Sequence, residues 1–252
     1  MSRPSDNRAA IATHPWFDTP LGSAVLGCEE AMAARLLERV FGFVAVSIGH
    51  WWPADLFLAP CSIRQQLRIG DRGDLVSPLD NLALASDSID AVLLPHTLEF
   101  VASPQRLLRE VDRVLVGEGH VLVFGFNPWS AWSARRMARS GHFPENGRPL
   151  AAGRLVDWLN LLGFEVLATE GVFRRPPINH AGMLDRLDGL DGLEKPHWLP
   201  VPGNAYAILA RKHVYAMTPL KPAWERRRRL TAGLPTPAGG MNNSNKQEKI
   251  CP

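Results

Sequence analysis

The chain is poor in cysteine. Its three residues, Cys28, Cys61 and Cys251, are odd in number and far apart. They suit neither a disulfide framework nor a metal site and are expected as thiols in a reducing compartment. No apolar run approaches the ~20 residues needed to cross a bilayer. Residues 1–10, MSRPSDNRAA, lack the apolar core of a secretory signal. A cytoplasmic location is therefore expected. No Gly-X-Gly-X-X-Gly fingerprint is present, which argues against a nicotinamide-dinucleotide enzyme. No Ser-His-Asp set, metal-ligand spacing or internal repeat is visible either. The body also has little positive charge. Up to residue 210 there are 19 Lys and Arg against 23 Asp and Glu, which excludes a body built as a nucleic-acid platform.

The basic charge lies further on. Residues 211–229 hold seven Lys and Arg against Glu225 alone. From 219 to 252 the chain is rich in Pro, Gly, Asn and Arg and reads as a flexible basic tail. Trp224 with the arginines at 226–229 would take an anionic partner weakly, through charge. Residues 1–13 are expected to be disordered.

Between these ends the most regular stretch is 86–129. Asp90 precedes Ala91-Val92-Leu93-Leu94, a run too short for a helix and apolar enough for a buried parallel strand. Ser103-Pro104 then offers an N-cap and a first helical residue that needs no N–H. Leu107, Leu108, Val111, Val114 and Leu115 fall on one face of that helix. Arg106, Arg109, Glu110, Asp112 and Arg113 fall on the other. Gly117-Glu118-Gly119 closes the helix, and 120–126 reads as a second buried strand. Such a βαβ unit crosses over right-handed and places ligand-binding loops at the strand carboxyl ends.

The remaining pattern alternates likewise. His14-Pro15-Trp16-Phe17 and Thr19-Pro20-Leu21-Gly22 read as an aromatic, turn-rich lead-in. A helix follows over 29–40, with Met32, Leu36, Leu37 and Val40 on its apolar side, then a buried strand at 43–48. Further strands are expected near 63–69 and 74–76. A helix is expected at 150–162, ended by Gly163, with strands at 164–169 and 205–210. Residues 171–204, with Pro176, Pro177, Pro196, Pro200 and Pro202, read as an irregular insertion suited to a substrate cap. Strands alternating with helices predict a doubly wound, Rossmann-like α/β sheet, mostly parallel.

Ile89-Asp90-Ala91-Val92, Leu98-Glu99-Phe100 and the run from Leu107-Leu108-Arg109-Glu110 through Arg113-Val114-Leu115 to Gly117-Glu118-Gly119 carry a resemblance. Together they resemble the middle of a class I S-adenosylmethionine (SAM) dependent methyltransferase, and weaker similarity extends it over roughly residues 20–212. In detail the chain is similar to proteobacterial methyltransferase-like proteins with a Gly-Phe-Asn-Pro-Trp segment, here at 125–129. The resemblance implies a domain over 14–218, a terminal antiparallel hairpin, SAM as cofactor and methyl transfer to an acceptor it does not identify.

It also implies site residues. Gly49 falls at the first position of the family's Gly-X-Gly-X-Gly turn, with His50 and Trp51 beside it; Trp51 and Pro53 replace the later glycines. That departure keeps open a non-catalytic binding module on the same fold. Asp71 matches the acidic residue that accepts hydrogen bonds from the ribose hydroxyls. Asp80 or Asn81 matches the polar group at the adenine. Pro95, His96 and Glu99 lie in the loop facing the methyl donor. His96 is the candidate general base, because an unperturbed imidazole titrates near pH ~6.5. Asn127 and Trp129 are the candidate substrate contacts, and acceptor choice is expected to lie in residues 14–22, 127–150 and 171–204.

Overall fold

The computed structural model describes residues 15–49, 53–70, 73–130, 132, 147–176, 178, 180–187 and 203–214, all within the compact unit Met1–Val214. The expectations for residues 1–13, for the tail, and for His50, Trp51 and Asp71 lie outside the described residues. Helix α1 spans Pro20–Leu37, strand β1 Val44–Ile48, helix α2 Ala54–Leu58, β2 Gln65–Ile69 and β3 Ile89–Pro95. Then come α3 Pro104–Val114, β4 Leu115–Phe126, α4 Ala152–Leu161, β5 Phe164–Val172, α5 Ala181–Arg186 and β6 Ala205–Lys212.

The strands form one sheet in the order β2-β1-β3-β4-β6-β5. The first four run parallel; β6 is antiparallel to both its neighbours. Because both faces are covered at its centre, the inner strands carry continuous buried apolar runs, at 91–94 in β3 and 121–124 in β4. Ala91 and Leu93 of β3, with Leu122 and Phe124 of β4, pack toward α1 and α2. Val92 and Leu94, with Val121 and Val123, pack toward α3 and α4. The doubly wound architecture and the terminal antiparallel pair are thus as the pattern and the resemblance imply. No helix among the described residues is long and apolar enough to cross a membrane.

Three local expectations change. Helix α1 begins nine residues earlier than its apolar period suggested. Thr19 caps it, its Oγ1 accepting from the Gly22 N–H at 3.1 Å, and Pro20 fills the first helical position. The lead-in is correspondingly core: Trp16 and Phe17 are each only 7% exposed. Gly22 is required there, since a Cβ would come 2.9 Å from the Phe17 Cα.

The strand expected at 74–76 is reduced to one bridge between Leu75 and Ile69. Asp74 instead accepts from the Arg68 N–H at 2.9 Å and from its guanidinium at 2.8 and 3.0 Å. Those bonds to Arg68 hold the Asp74 carboxyl below its usual range and, with the Leu75 N–H donating to the Arg68 carbonyl at 3.1 Å, keep 73–75 beside the end of β2.

On α3 the expected apolar residues Leu107, Leu108, Val111 and Val114 are buried and Pro104 stands at the start, although the Ser103 side chain makes no capping bond; the helix ends at Val114, and Leu115 and the glycines expected to close the helix, Gly117 and Gly119, belong to β4. Glu110 and Arg113 do more than meet solvent. Glu110 accepts from the Leu82 N–H at 2.9 Å, and Arg113 donates to the carbonyls of Leu82 at 3.0 Å and Leu84 at 2.9 Å. Together they clamp the segment before β3. Asp90, inside β3, reaches sideways: its Oδ2 accepts from the N–H groups of Phe43 and Val44, each at 2.9 Å, fixing where β1 begins.

Candidate functional site at the sheet's carboxyl edge

Connections leave β1 toward β2 on one side and β3 toward β4 on the other, so the strand order reverses between β1 and β3. In open α/β sheets that reversal opens a crevice at the carboxyl ends, where ligands bind. Gly49 follows β1 at this point. Its N–H donates to the Ile69 carbonyl at 2.9 Å, holding the ends of β1 and β2 together. Its φ is +142°, a conformation that side chains resist, and a Cβ would lie 2.6 Å from the Thr97 Oγ1. Thr97 cannot easily yield, because its hydroxyl donates to the Ile48 carbonyl across the same crevice. Ser47, two residues upstream, is buried with an Oγ that has no hydrogen-bond partner among the described residues. The place where the resemblance puts a bare-backbone turn is therefore one where a bare backbone is required.

Beside it lies a charged group that local pattern does not announce. His96 follows β3 with φ +53° and is fully buried. Its Nε2 is 2.8 Å from Glu29 Oε1 of α1 and its Nδ1 is 3.0 Å from Glu99 Oε2. Glu99 also accepts the Phe126 N–H at 2.6 Å. The two carboxylates outweigh the strong opposing effect of burial and raise the His96 pKa to about 9. Burial pushes the Glu99 carboxyl up as well, partly offset by its bonds to His96 and Phe126. The ring at neutral pH is an imidazolium donating from both nitrogens. Aromatic rings cover it: Phe126 lies 4.0 Å away by ring centroids, Trp132 stacks on Phe126 at 6.1 Å, and Trp16 and Phe173 meet Trp132 edge-on at 6.3 and 5.4 Å.

In this geometry both ring nitrogens of His96, the expected general base, are engaged by carboxylates. A general base needs an unprotonated nitrogen within reach of the proton it takes. His96 has its proton already, and both nitrogens face carboxylates. The local pattern at Glu29 marks only a helix, which does not single out its carboxylate. One signal was available: it continues the stripe of Val25 and Ala33 at four-residue spacing, where an acidic side chain is out of place unless paired.

Pro95 is buried at the end of β3, next to this group. Asn127 follows β4, but its amide is used on the protein: Nδ2 donates to the Gly203 carbonyl at 3.1 Å, and Oδ1 accepts from the Trp129 N–H at 3.0 Å. Its backbone N–H donates to the Asn204 carbonyl at 2.9 Å. Asn127 thus ties β4 to the start of β6 and shapes the loop, while Trp129 projects from it, 88% exposed. Asp80 and Asn81 sit in an exposed turn, with Asp80 4.0 Å from Arg106 of α3. The structure so brings Gly49, Pro95, His96, Glu99 and Asn127 to one edge of the sheet and leaves Asp80 and Asn81 on a surface turn.

A strand order that reverses at β1 and β3, a mandatory glycine beside that reversal and a terminal antiparallel pair define a methyltransferase-type α/β domain, and comparison with known proteins agrees. Residues 59–123 match the methyltransferase domain family. The chain is 31% identical to the uncharacterized protein YafS of Escherichia coli over 217 residues, spanning 84% of this chain and 85% of that one. It is 32% identical over 182 residues to the uncharacterized protein Rv2003c of Mycobacterium tuberculosis, spanning 68% of this chain and 63% of that one. A SAM-dependent methyltransferase from Thermotoga maritima superposes with a TM-score of 0.58 at 21% identity, covering 78% of this chain and 93% of that structure. The chain belongs to the same family as the E. coli protein; its residues 59–123 carry the methyltransferase domain pattern, and its fold is that of the SAM-dependent methyltransferase from T. maritima.

Proposed function

We propose that the protein is an active methyltransferase that holds SAM across the reversal between β1 and β3. The observation that carries this reading is Gly49, whose positive φ and approach to Thr97 leave backbone, rather than a side chain, facing the crevice. When bound, the cofactor supplies a methyl group already activated by its sulfonium. The chain's own task is then mainly to position and to exclude water. Gly49 offers close backbone approach, and Ser47 offers a buried hydroxyl at the same strand end. Pro95 and Thr97 form the facing wall. Trp129 and the loop that Asn127 shapes are the part of this edge that meets solvent and would meet the acceptor.

A second reading, a binding module without methyl transfer, draws support from His96. His96 has both ring nitrogens against carboxylates, so without a base from outside the described residues chemistry here would need an acceptor that is already nucleophilic. Calorimetric titration with SAM and with its demethylated product S-adenosylhomocysteine tests the first reading. At 100 times the dissociation constant, binding should stabilise the fold by about 2.7 kcal/mol. No heat and no thermal shift at millimolar ligand would overturn the assignment of the cofactor site.

A further inference from the structure

We propose that His96 is a positioning residue for the carboxyl-edge site, and that Glu29 and Glu99 keep it in the form that does this. The inference rests on the cofactor reading above, and its physical core is the geometry of three elements meeting at one ring. Glu29 brings α1, which is 67 positions away in sequence. Glu99 brings the turn after β3 and, through the Phe126 N–H, the end of β4. The His96 backbone N–H donates to the Phe124 carbonyl at 3.1 Å, a second tie to β4. The next residue, Thr97, binds the Ile48 carbonyl and forms the wall against Gly49. One buried ring therefore fixes both the glycine that faces the crevice and the start of the loop carrying Asn127 and Trp129.

Both carboxylates gain only if the ring carries two protons. A neutral imidazole would leave one buried carboxylate facing a lone pair, and that face would part. Among the described residues the groups beside the ring keep their charge. Tyr206 of β6 is pushed well above the usual phenol range by burial and by the Glu99 charge, so it remains neutral. The Phe126 ring carries no charge, and Arg148 reaches Glu99 through backbone, its N–H donating to the Glu99 carbonyl at 2.7 Å. The site should thus hold its shape through neutral pH and lose it in alkali, as His96 deprotonates near pH 9.

The test is S-adenosylhomocysteine affinity by calorimetry from about pH 6 to 10, with the His96 ring and the Phe126 amide followed by NMR in the unliganded protein. If only the doubly protonated ring shapes the site, affinity at one pH unit above the midpoint should fall about tenfold. The Phe126 amide signal should move with the same midpoint. Glu29→Gln removes one of the two opposite charges and should bring the fall forward on the order of one pH unit. A general loss of packing would weaken binding equally at every pH and leave the midpoint where it was. An unshifted midpoint in Glu29→Gln, or a Phe126 amide that ignores the ring titration, would overturn the proposal. Should the variant fail to fold, the wild-type Phe126 titration still decides. Should the wild type bind no S-adenosylhomocysteine at neutral pH, the cofactor reading fails, while the NMR midpoints continue to judge the positioning role.

Discussion

Gly49 and His96 occupy adjacent strand ends, and both have φ values that most side chains avoid, +142° and +53°. Strain of this kind persists only where surrounding bonds over-determine it, and it concentrates at ligand sites. At Gly49 the surrounding bond is Thr97 to the Ile48 carbonyl, and a side chain would have to displace it. Gly49→Val is expected to cost about 1–3 kcal/mol of stability and to abolish S-adenosylhomocysteine binding. Denaturant unfolding and calorimetry on the same preparation measure both. A variant that folds and binds as well as the wild type would show that the cofactor loop is elsewhere. Trp51 and Pro53, at the later glycine positions, make this residue the one that retains the family's turn chemistry.

At the scale of elements, side chains from one strand or helix determine where its neighbour begins. Asp90 is the clearest case. Its carboxylate takes the first two N–H groups of the segment entering β1, while β3 itself is held by its ladder to β4. Asp90→Ala should leave two donors unmet at the mouth of the sheet and cost on the order of 2 kcal/mol, as hydrogen bonds to a charged acceptor do. Amide exchange should show the loss at Phe43 and Val44 before it shows at Leu93. Equal protection in variant and wild type would mean water replaces the carboxylate without cost. The Glu110 and Arg113 pair serves α3 in the same way, holding the backbone of Leu82 and Leu84.

For the whole molecule the buried group makes stability depend on pH in a definite direction. The His96 pKa is raised in the fold, from 6.5 to about 9. A raised pKa means that the folded state holds the proton more tightly. The stabilisation is complete below pH 6.5 and is lost as pH rises through about 9. Its size is on the order of a few kcal/mol for a buried ring with two partners. Melting temperature should therefore fall between neutrality and about pH 10, and a His96→Gln variant should be less stable at pH 7 yet show a flatter alkaline limb. A melting profile for the wild type that stays level through this window would contradict an imidazolium at His96.

The amino-acid sequence by itself determined the alternation of strands and helices and the central unit from β3 through α3 to β4. It did so because buried parallel strands and amphipathic helices write their burial into runs of five to twelve neighbouring residues. It also marked Gly49 and the loop after β3, through the family pattern around Ile89-Asp90-Ala91-Val92. Only the tertiary structure decided what those residues do. The early start of α1 depended on Thr19 and Pro20, which local chemistry writes equally well as a turn. The missing strand at 74–76 depended on a carboxylate that found the backbone of Arg68. His96 could be read as a base until Glu29 and Glu99 were seen on either side of it. Asn127 could be read as a substrate contact until its amide was found on Gly203 and Trp129. These are bonds from side chains to groups up to 76 positions away, and no period in the sequence encodes them. They follow from sheet register and helix placement, which bring the groups within hydrogen-bond distance only after the chain has folded.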